Sequence, residues 1–266
     1  MSWPLLEREL DAWGALGRRA TLWCRDDDAC RDSPALGRLL DLARRHRVPV
    51  AIAAIASTAD DTLAEAIAQC DEATVVQHGY AHANHAPAGE RSAELGAHRP
   101  LHARLDELER GRERLARAFG DRFVPVLVPP WNRIAADIVP ELPTIGLRGL
   151  SCFGPRASVL AAAGLVQVNA HVDLIAWRRD RLFIGADAAI GRLVALLAAR
   201  RSGEADADEP TGVLTHHLEL GDDALDFLGE LMRRTRDHGA AAWLDVRDAF
   251  GAVVDPAPKL TCARSA

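Results

Sequence analysis

The sequence of 266 residues predicts an α/β protein in which parallel strands alternate with helices. Three observations predict this class: short apolar runs of strand length recur along the chain, stretches with apolar residues three and four positions apart separate them, and polar clusters follow the runs directly. Strands joined by helices are normally parallel and connected by right-handed crossovers. The sheet is therefore expected to be either open and doubly wound or closed into a barrel.

The elements are expected in the following order. Residues 1–19 carry acidic residues inside an amphipathic pattern, which predicts a helix and no signal peptide. One continuous domain is expected over 20–255, followed by a tail at 256–266. The strands predicted in this domain are the apolar runs ATLWC (20–24), VPVAIAAIA (48–56), ATVVQ (73–77), FVPVLV (123–128), LRGLSCF (147–153), GLVQVN (164–169), TGVLT (211–215) and AAWLDV (241–246). The helices predicted between them span 33–46, 62–70, 101–119, 187–200 and 222–238. The stretch SGEADADEP (202–210) is expected to be a solvated surface loop.

Composition and charge limit the classes of partner. With 48% hydrophobic and 26% charged residues, the chain can bury a substantial core, and a net charge of -6 gives no attraction to nucleic-acid backbones. No apolar run reaches the roughly 18 residues of a membrane span. The cysteines are odd in number and form no CxxC pair, at positions 24, 30, 70, 152 and 262. This usage argues against a disulfide framework and predicts a reducing, cytoplasmic location.

Polar residues gather directly after the predicted strands. The segments concerned are RDDD, HGYAHANH, PPWN, NAHVD and THH. Because the carboxyl ends of parallel strands converge on one face of the fold, these five segments are expected to meet at one site.

Two of the segments have the composition of a metal site. RDDD offers three carboxylates, which alternate in direction as they leave a strand, so that one can bind a metal and another can face water. HGYAH places His78 and His82 on one face of a helical turn, with His85 close to that face. Two histidines and one carboxylate leave coordination positions open, which favours catalysis. The alternative for the aspartates is a cluster that caps a helix or shapes a loop. The alternative for the histidines is a structural role.

The remaining segments contribute side chains whose roles stay open at this point. Only one of His216 and His217 is expected to enter the cleft, where it donates a proton to a leaving group or simply holds the loop by a hydrogen bond. PPWN predicts either a rigid loop with an aromatic wall or an ordinary proline turn. The same two readings, functional or structural, apply to Asp173 and Trp177.

The order of the segments resembles the polysaccharide deacetylase family, which is carbohydrate esterase family 4 or the NodB-homology domain. That family carries a paired-aspartate motif, an H-x-x-x-H motif, an arginine-proline-aromatic loop, an aspartate-tryptophan segment and a leucine-x-histidine motif. The corresponding segments here are RDDDA, HGYAH, VPPWN, DLIAW and LTHH, over about residues 20–250. The resemblance implies a distorted (β/α) barrel of about seven parallel strands.

The resemblance also assigns roles to individual residues. It makes Asp28, His78 and His82 the ligands of a divalent metal ion, with zinc as the first choice and cobalt, nickel or manganese as alternatives. It makes Asp27 the general base and His216 the general acid. The remaining assignments are a substrate pocket at Pro130, Trp131 and Trp177, and supporting roles for Arg25 and Asp173.

The register of the aspartate pair stays open. Asp26 with Asp27 fills the motif as well as Asp27 with Asp28 does. We prefer the second pair, because Ala29 then stands where the family has a small residue.

The chain departs from the family pattern at one position. The arginine that precedes the proline loop in the family, and that holds the catalytic aspartate, is Val128 here, so Arg25 or Arg133 is expected to replace it. The expected function is removal of N-acetyl groups from an amino sugar or saccharide intermediate. The alternatives are a related amidohydrolase or deformylase on a non-sugar amide, and a catalytically silent barrel that binds a saccharide. The oligomeric state cannot be predicted from the sequence.

Overall fold

The computed structural model describes residues 2–179 and 181–251. In these ranges one mostly parallel sheet contains ten strands. The strands are β1 (Ala20–Ala29), β2 (Val50–Ala54), β3 (Ala73–His78), β4 (Phe123–Val128), β5 (Gly149–Leu150), β6 (Leu160–Ala162), β7 (Leu165–Gln167), β8 (Val172–Asp173), β9 (Thr211–Thr215) and β10 (Ala241–Trp243). The helices are α1 (Trp3–Ala15), α2 (Pro34–His46), α3 (Asp61–Ala68), α4 (Leu101–Phe119), α5 (Ala186–Ser202), α6 (Asp222–Asp237) and α7 (Val246–Phe250).

The sheet closes on itself through the segment that joins β7 to β8. The strand order is β6-β7-β5-β4-β3-β2-β1-β9-β8, and among these pairs only β6 with β7 is antiparallel. The amide of Ala170 donates to the carbonyl of Cys152 beyond β5, and the next amide, of His171, donates to Gly212 in β9. This segment therefore bridges the two sides of the sheet. If β7 and β8 are counted as one bent strand, seven parallel strands form the barrel, which confirms the expected fold.

The two faces of β1 separate the inside of the barrel from the layer under the helices. Leu22 and Cys24 pack into the large core cluster that the helices cover. Trp23 points the other way, into a cluster of strand valines and Phe250, where its ring meets that phenylalanine edge-on at 5.9 Å. This alternation is the period of two that a strand imposes on its side chains. It aims Arg25 and Asp27 into the barrel as well.

Helix α1 packs on the outside of the barrel. The ring of Trp3 stacks on that of Phe227, with the ring centroids 5.4 Å apart, and the indole of Trp13 donates a hydrogen bond to the carbonyl of Leu197. The expected tail at 256–266 lies outside the described residues, as does Cys262. The other four cysteines are free thiols. Among the described residues, no helix combines the length and apolarity that a membrane span needs.

Three local expectations were wrong. RDDD does not follow the first strand but belongs to it, because β1 continues through this segment to Ala29. His78 is the last residue of β3 and a bend follows it, so that the predicted helical turn does not form. The loop at 202–210 is only partly solvated, since Glu209 is 2% exposed and accepts hydrogen bonds from the amides of Arg156 and Asn169.

Candidate metal centre and catalytic cleft

A bulge near the end of β1 places two adjacent aspartates in one cleft. The pairing of β1 with β2 shifts register between Asp26 and Ala29, and Asp28 has a φ of 73°. Regular alternation would put Asp27 and Asp28 on opposite faces of the strand. With the bulge, both side chains line the cleft at the carboxyl end of the barrel. The expectation that adjacent carboxylates point in alternate directions therefore fails for this pair.

Asp26 lies on the other face of β1. Its carboxylate accepts a hydrogen bond of 2.8 Å from the hydroxyl of Thr215 and lies 2.6 Å from Nδ1 of His217. The carboxylate and the imidazole are fully buried, and the charge and hydrogen bond of Asp26 raise the pKa of His217 although burial alone would lower it. Asp26 and His217 therefore form a buried pair outside the cleft. His216 takes the cleft position, in agreement with the alternation expected for the two histidines.

Asp28, His78 and His82 converge on one point. Their three candidate ligand atoms all lie within 4.8 Å of one another. Nε2 of His78 is 3.0 Å from Oδ1 of Asp28, and Nε2 of His82 is 3.2 Å from the same oxygen. His85, the third histidine of this stretch, is exposed and does not belong to the group.

The surroundings of the three groups favour a bound cation. Nδ1 of His78 donates to the carbonyl of Val128 at 3.0 Å, which fixes the ring and directs Nε2 toward Asp28. Burial works against the charged form of Asp28, but the hydrogen bond from His78 and the charges of the nearby histidines outweigh it and lower the pKa of this carboxyl. The carboxylates of Asp27 and Asp28 likewise raise the pKa of His78 against the effect of its burial. The two carboxylates therefore favour positive charge at the imidazole of His78.

Arg25 holds the carboxylate of Asp27. Its Nη2 donates to Oδ2 of Asp27 at 3.0 Å, and its Nε lies 2.9 Å from Oδ1. The same guanidinium donates to the hydroxyl of Ser151 at 2.8 Å and to Oδ1 of Asn132 at 2.7 Å. Arg133 instead donates to the carbonyl of Ser92. Of the two arginines considered for the position that Val128 fills, Arg25 is the one in contact with Asp27.

His216 lies opposite the metal-side histidines. Its Nε2 is 4.0 Å from Oδ2 of Asp27, and Nδ1 is buried with no hydrogen-bond partner among the described residues. The ring of Trp177 meets it edge-on at 4.6 Å. The indole of Trp177 in turn donates to Asp173 at 2.7 Å. Burial raises the pKa of Asp173, and the charge of His216 only partly offsets this effect.

A tight turn after β4 forms the other wall. The ring of Trp131 lies 4.3 Å from that of His82. Trp131 and Asn132 have φ values of 56° and 55°, so the turn is held in a conformation that few side chains adopt. Pro130 is buried beneath the turn, beside Gly79, and does not line the cleft.

The cleft has a volume of about 580 Å³, a size that suits a small-molecule ligand. Sequence reasoning placed most of its charged and aromatic side chains but missed four lining residues, which come from the turn after β4, the segment after β5 and the loop after β8. These residues are Asn132, Phe153, Arg178 and Arg181. Asn132 lies within the PPWN segment, whereas the other three had no motif to indicate them. Arg133, considered for the position that Val128 fills, also lines the cleft.

Comparison with solved structures identifies the fold. A protein described as a polysaccharide deacetylase from Mycobacterium smegmatis is 18% identical with a TM-score of 0.63, and the alignment covers 88% of this chain and 90% of that one. A family 4 carbohydrate esterase from Streptomyces lividans, in complex with acetate, is 16% identical with a TM-score of 0.53 over 84% and 91%. The chain therefore has the fold of the carbohydrate esterase family 4 structures.

The same fold also occurs in a protein described as a pseudoenzyme of that family, from Bacillus anthracis. It is 14% identical with a TM-score of 0.52, over 88% of this chain and 66% of that one. No protein-family model matches the sequence, and no curated protein matches it. The fold alone does not decide activity, which depends on the side chains of the cleft.

Proposed function

We propose that this chain is a metal-dependent hydrolase that removes N-acetyl groups from an amino sugar or saccharide intermediate. The observation that carries the proposal is the placement of Asp28, His78 and His82 around one point, beside the carboxylate of Asp27. Two imidazoles and one carboxylate occupy one side of a cation and leave its other side accessible. A site that binds metal only for stability has no need of such access.

The donor set fits a divalent ion. Asp28, His78 and His82 would hold it, and zinc is the first choice because it accepts both imidazole nitrogen and carboxylate oxygen. Cobalt, nickel and manganese accept the same donors. The ion would polarise the amide carbonyl and lower the pKa of a water molecule.

The chain's own residues supply the proton transfers. Asp27 accepts the proton of the attacking water, and Arg25 keeps its carboxylate oriented for this step. His216, on the other side of the cleft, donates a proton to the departing amine. Acetate and a free amino sugar are the products. Trp131 and Trp177 flank the reacting group as apolar walls.

The contact between Arg25 and Asp27 argues against the catalytically silent alternative. That alternative depended on the absence of an arginine at Val128, which would leave the base without a partner. Arg25 contacts the same carboxylate from two positions earlier in β1. A guanidinium is therefore present at the base, although it comes from β1 and not from the position of Val128 at the end of β4.

The test combines metal content with turnover. The purified chain, stripped with a chelator and reloaded with zinc, cobalt, nickel or manganese, is assayed for acetate release. The substrates are N-acetylated oligosaccharides, N-acetyl sugar nucleotides, N-formyl amines and a non-sugar acetamide. We expect one metal ion per chain and release of acetate from an N-acetyl sugar. Preferred cleavage of the N-formyl or non-sugar amides would favour the amidohydrolase alternative.

A matched pair of variants tests the metal site itself. His82→Ala should lose the metal, because it removes one of the three ligands. His85→Ala should keep it, since this histidine is exposed and lies three positions further on. Equal metal content in the two variants would contradict the proposal, and metal binding without turnover on any substrate would favour a silent barrel.

A further inference from the structure

Three arginines line the mouth of the cleft. Arg133 follows the turn that carries Trp131, beside His82 and the metal ligands. Arg178 and Arg181 belong to the loop after β8, on the side of His216. The two groups therefore flank the reacting atoms from opposite walls.

The three charges differ in how far they are neutralised. Arg181 donates to Glu219 at 2.5 Å and lies 5.1 Å above the ring of Trp177, so it is held in place and paired. Arg133 is anchored through a backbone carbonyl and has no carboxylate partner among the described residues. Arg178 is exposed and forms no ion pair with any part of the chain that the structure describes.

The positive charges at the mouth act on one another. Burial lowers the pKa of Arg133, and the charges of Arg91 and Arg178 lower it further. Two arginines that face one cleft without a carboxylate partner among the described residues repel each other, and an anionic ligand between them would relieve this repulsion. The acidic groups of the cleft have other partners: Asp27 is paired with Arg25, Asp28 lies against its histidines, and Asp173 accepts hydrogen bonds from the indole of Trp177 and the amide of Ile175.

This positive mouth contrasts with the rest of the chain. The net charge is -6, so two arginines at one cleft that have no carboxylate partner within 2–179 and 181–251 are not a general property of the surface. A polyanion such as nucleic acid would need an extended basic surface. A single small anionic group needs only two or three donors, and arginine matches phosphate and carboxylate oxygens with paired hydrogen bonds.

We propose that the substrate carries a compact oxyanion, a phosphate or a carboxylate, and that Arg133 and Arg178 bind it while the N-acyl group lies beside Asp27 and His216. This inference rests on the proposed function, because it concerns the substrate of the same cleft. It narrows the saccharide of the proposed function to an N-acylated sugar that carries a negative charge near its amide.

The experiment compares substrates that differ in charge. The values of kcat/KM are measured for a neutral N-acetylglucosamine oligomer, N-acetylglucosamine 1-phosphate, the uridine diphosphate ester of N-acetylglucosamine, and N-acetylmuramic acid as the carboxylate. We expect at least one anionic substrate to exceed the neutral one by roughly tenfold to a hundredfold, which corresponds to one or two charge-assisted hydrogen bonds. Added salt should reduce this preference, because the arginines are solvent-accessible. The anionic substrate with the highest kcat/KM identifies the oxyanion.

Arg178→Ala and Arg179→Ala form the matched pair of variants. Both remove an exposed arginine from the same loop, but only Arg178 lines the cleft. Arg178→Ala should lose most of the preference for the anionic substrate, and Arg179→Ala should keep it. An equal loss in both variants, or equal kcat/KM for neutral and anionic substrates, would overturn the inference and leave the proposed function standing.

Binding without turnover separates the two proposals. The Asp27→Asn chain is titrated calorimetrically with the same four sugars, so that affinity is measured whether or not the chain is a hydrolase. Tighter binding of an anionic sugar, weakened by the added Arg178→Ala change, supports the inference even if no substrate is cleaved. Equal affinity for the neutral and anionic sugars contradicts it.

Discussion

The guanidinium of Arg25 lies against the carboxylate of Asp27, two positions further along the same strand. Both side chains are buried, with 0% and 2% exposure. The period of two in β1 points both into the barrel, so the partner of the base is built into the strand that carries the base. The guanidinium also donates hydrogen bonds to Asn132 and Ser151, which fix it from two other segments of the chain. Arg25 is therefore a positioning residue.

Replacing Arg25 by lysine should reduce kcat by roughly tenfold to a hundredfold. Lysine keeps the charge but cannot contact Asp27, Asn132 and Ser151 together in the planar geometry of a guanidinium. KM and metal content should change little, since neither the metal ligands nor the mouth of the cleft is altered. Steady-state kinetics and elemental analysis on the folded variant measure these quantities.

Arg104→Lys is the control for this change. Arg104 is also fully buried and forms two hydrogen bonds with Asp137, but it does not line the cleft. Arg25→Lys should lower the free energy of unfolding by a few kcal/mol, roughly the cost of disturbing a buried ion pair. Arg104→Lys should lower it by less, because Asp137 is 47% exposed. Only Arg25→Lys should lower kcat. Equal kcat values in the two variants would show that Arg25 acts on stability alone.

The adjacent residues Asp27 and Asp28 should have separable effects. Asp28→Asn removes the carboxylate that both His78 and His82 face, so metal affinity should fall by about tenfold to a hundredfold or more. Asp27→Asn should keep the metal and lower kcat by about 10²- to 10⁴-fold, the usual contribution of a general base. Metal titration and acetate release distinguish the two. A loss of metal in Asp27→Asn would place both carboxylates on the ion.

The sequence predicted the strands and the meeting of their polar ends, because apolar runs and parallel topology are properties of whole segments. It did not predict that RDDD continues β1. Aspartate is depleted in strands, and this run is accommodated because Arg25 on the same strand contacts Asp27, while Thr215 and His217 from a distant part of the chain contact Asp26. Propensity cannot account for such tertiary contacts.

The bulge that turns Asp28 into the cleft could not be predicted from the sequence either. Motif spacing placed His78 and His82 together, although on a helical turn that does not form. The choice between Arg25 and Arg133 depended on the path of the turn after β4, which two consecutive residues of positive φ determine. Local backbone geometry of this kind leaves little trace in composition or periodicity.

The buried pair of Asp26 and His217 should make stability depend on pH. The pKa of His217 is raised above its ordinary value of 6.5, so its protonated form stabilises the folded chain. This contribution is fully present below pH 6.5 and is lost as the pH rises through the higher folded value. The free energy of unfolding of the chelator-treated chain, measured by urea denaturation, should therefore fall over this range.

His217→Gln removes the titrating group and should flatten that part of the profile. His85→Gln changes an exposed residue and leaves the buried pair intact, so its free energy of unfolding should depend on pH as that of the wild-type chain does. The difference between wild type and His217→Gln isolates the pair from the other histidines. A difference in unfolding free energy that stays constant from about pH 6 to pH 9 would contradict the raised pKa.

Gly79 joins β3 to the bend that carries His82, and alanine should not be tolerated there. Its φ is 55°, and an added Cβ would lie 2.0 Å from Oε2 of Glu94 and 2.7 Å from the ring of Pro130. Glu94 is fully buried and accepts hydrogen bonds from the backbone amides of Tyr80 and Ala81, so displacing it disturbs the bend itself. Gly79→Ala should lower the free energy of unfolding by about 2–4 kcal/mol.

Metal affinity should fall in the same variant, because the position of His82 depends on the bend. Gly89→Ala is the matched control: its φ is also positive, at 89°, but an added Cβ meets no atom within 4 Å. Backbone strain alone should then cost it about 1–2 kcal/mol and leave metal binding intact. Urea denaturation and zinc titration measure both quantities. If the two alanine variants lost equal stability and bound zinc equally well, the contact of Gly79 with Glu94 and Pro130 would not be what positions His82.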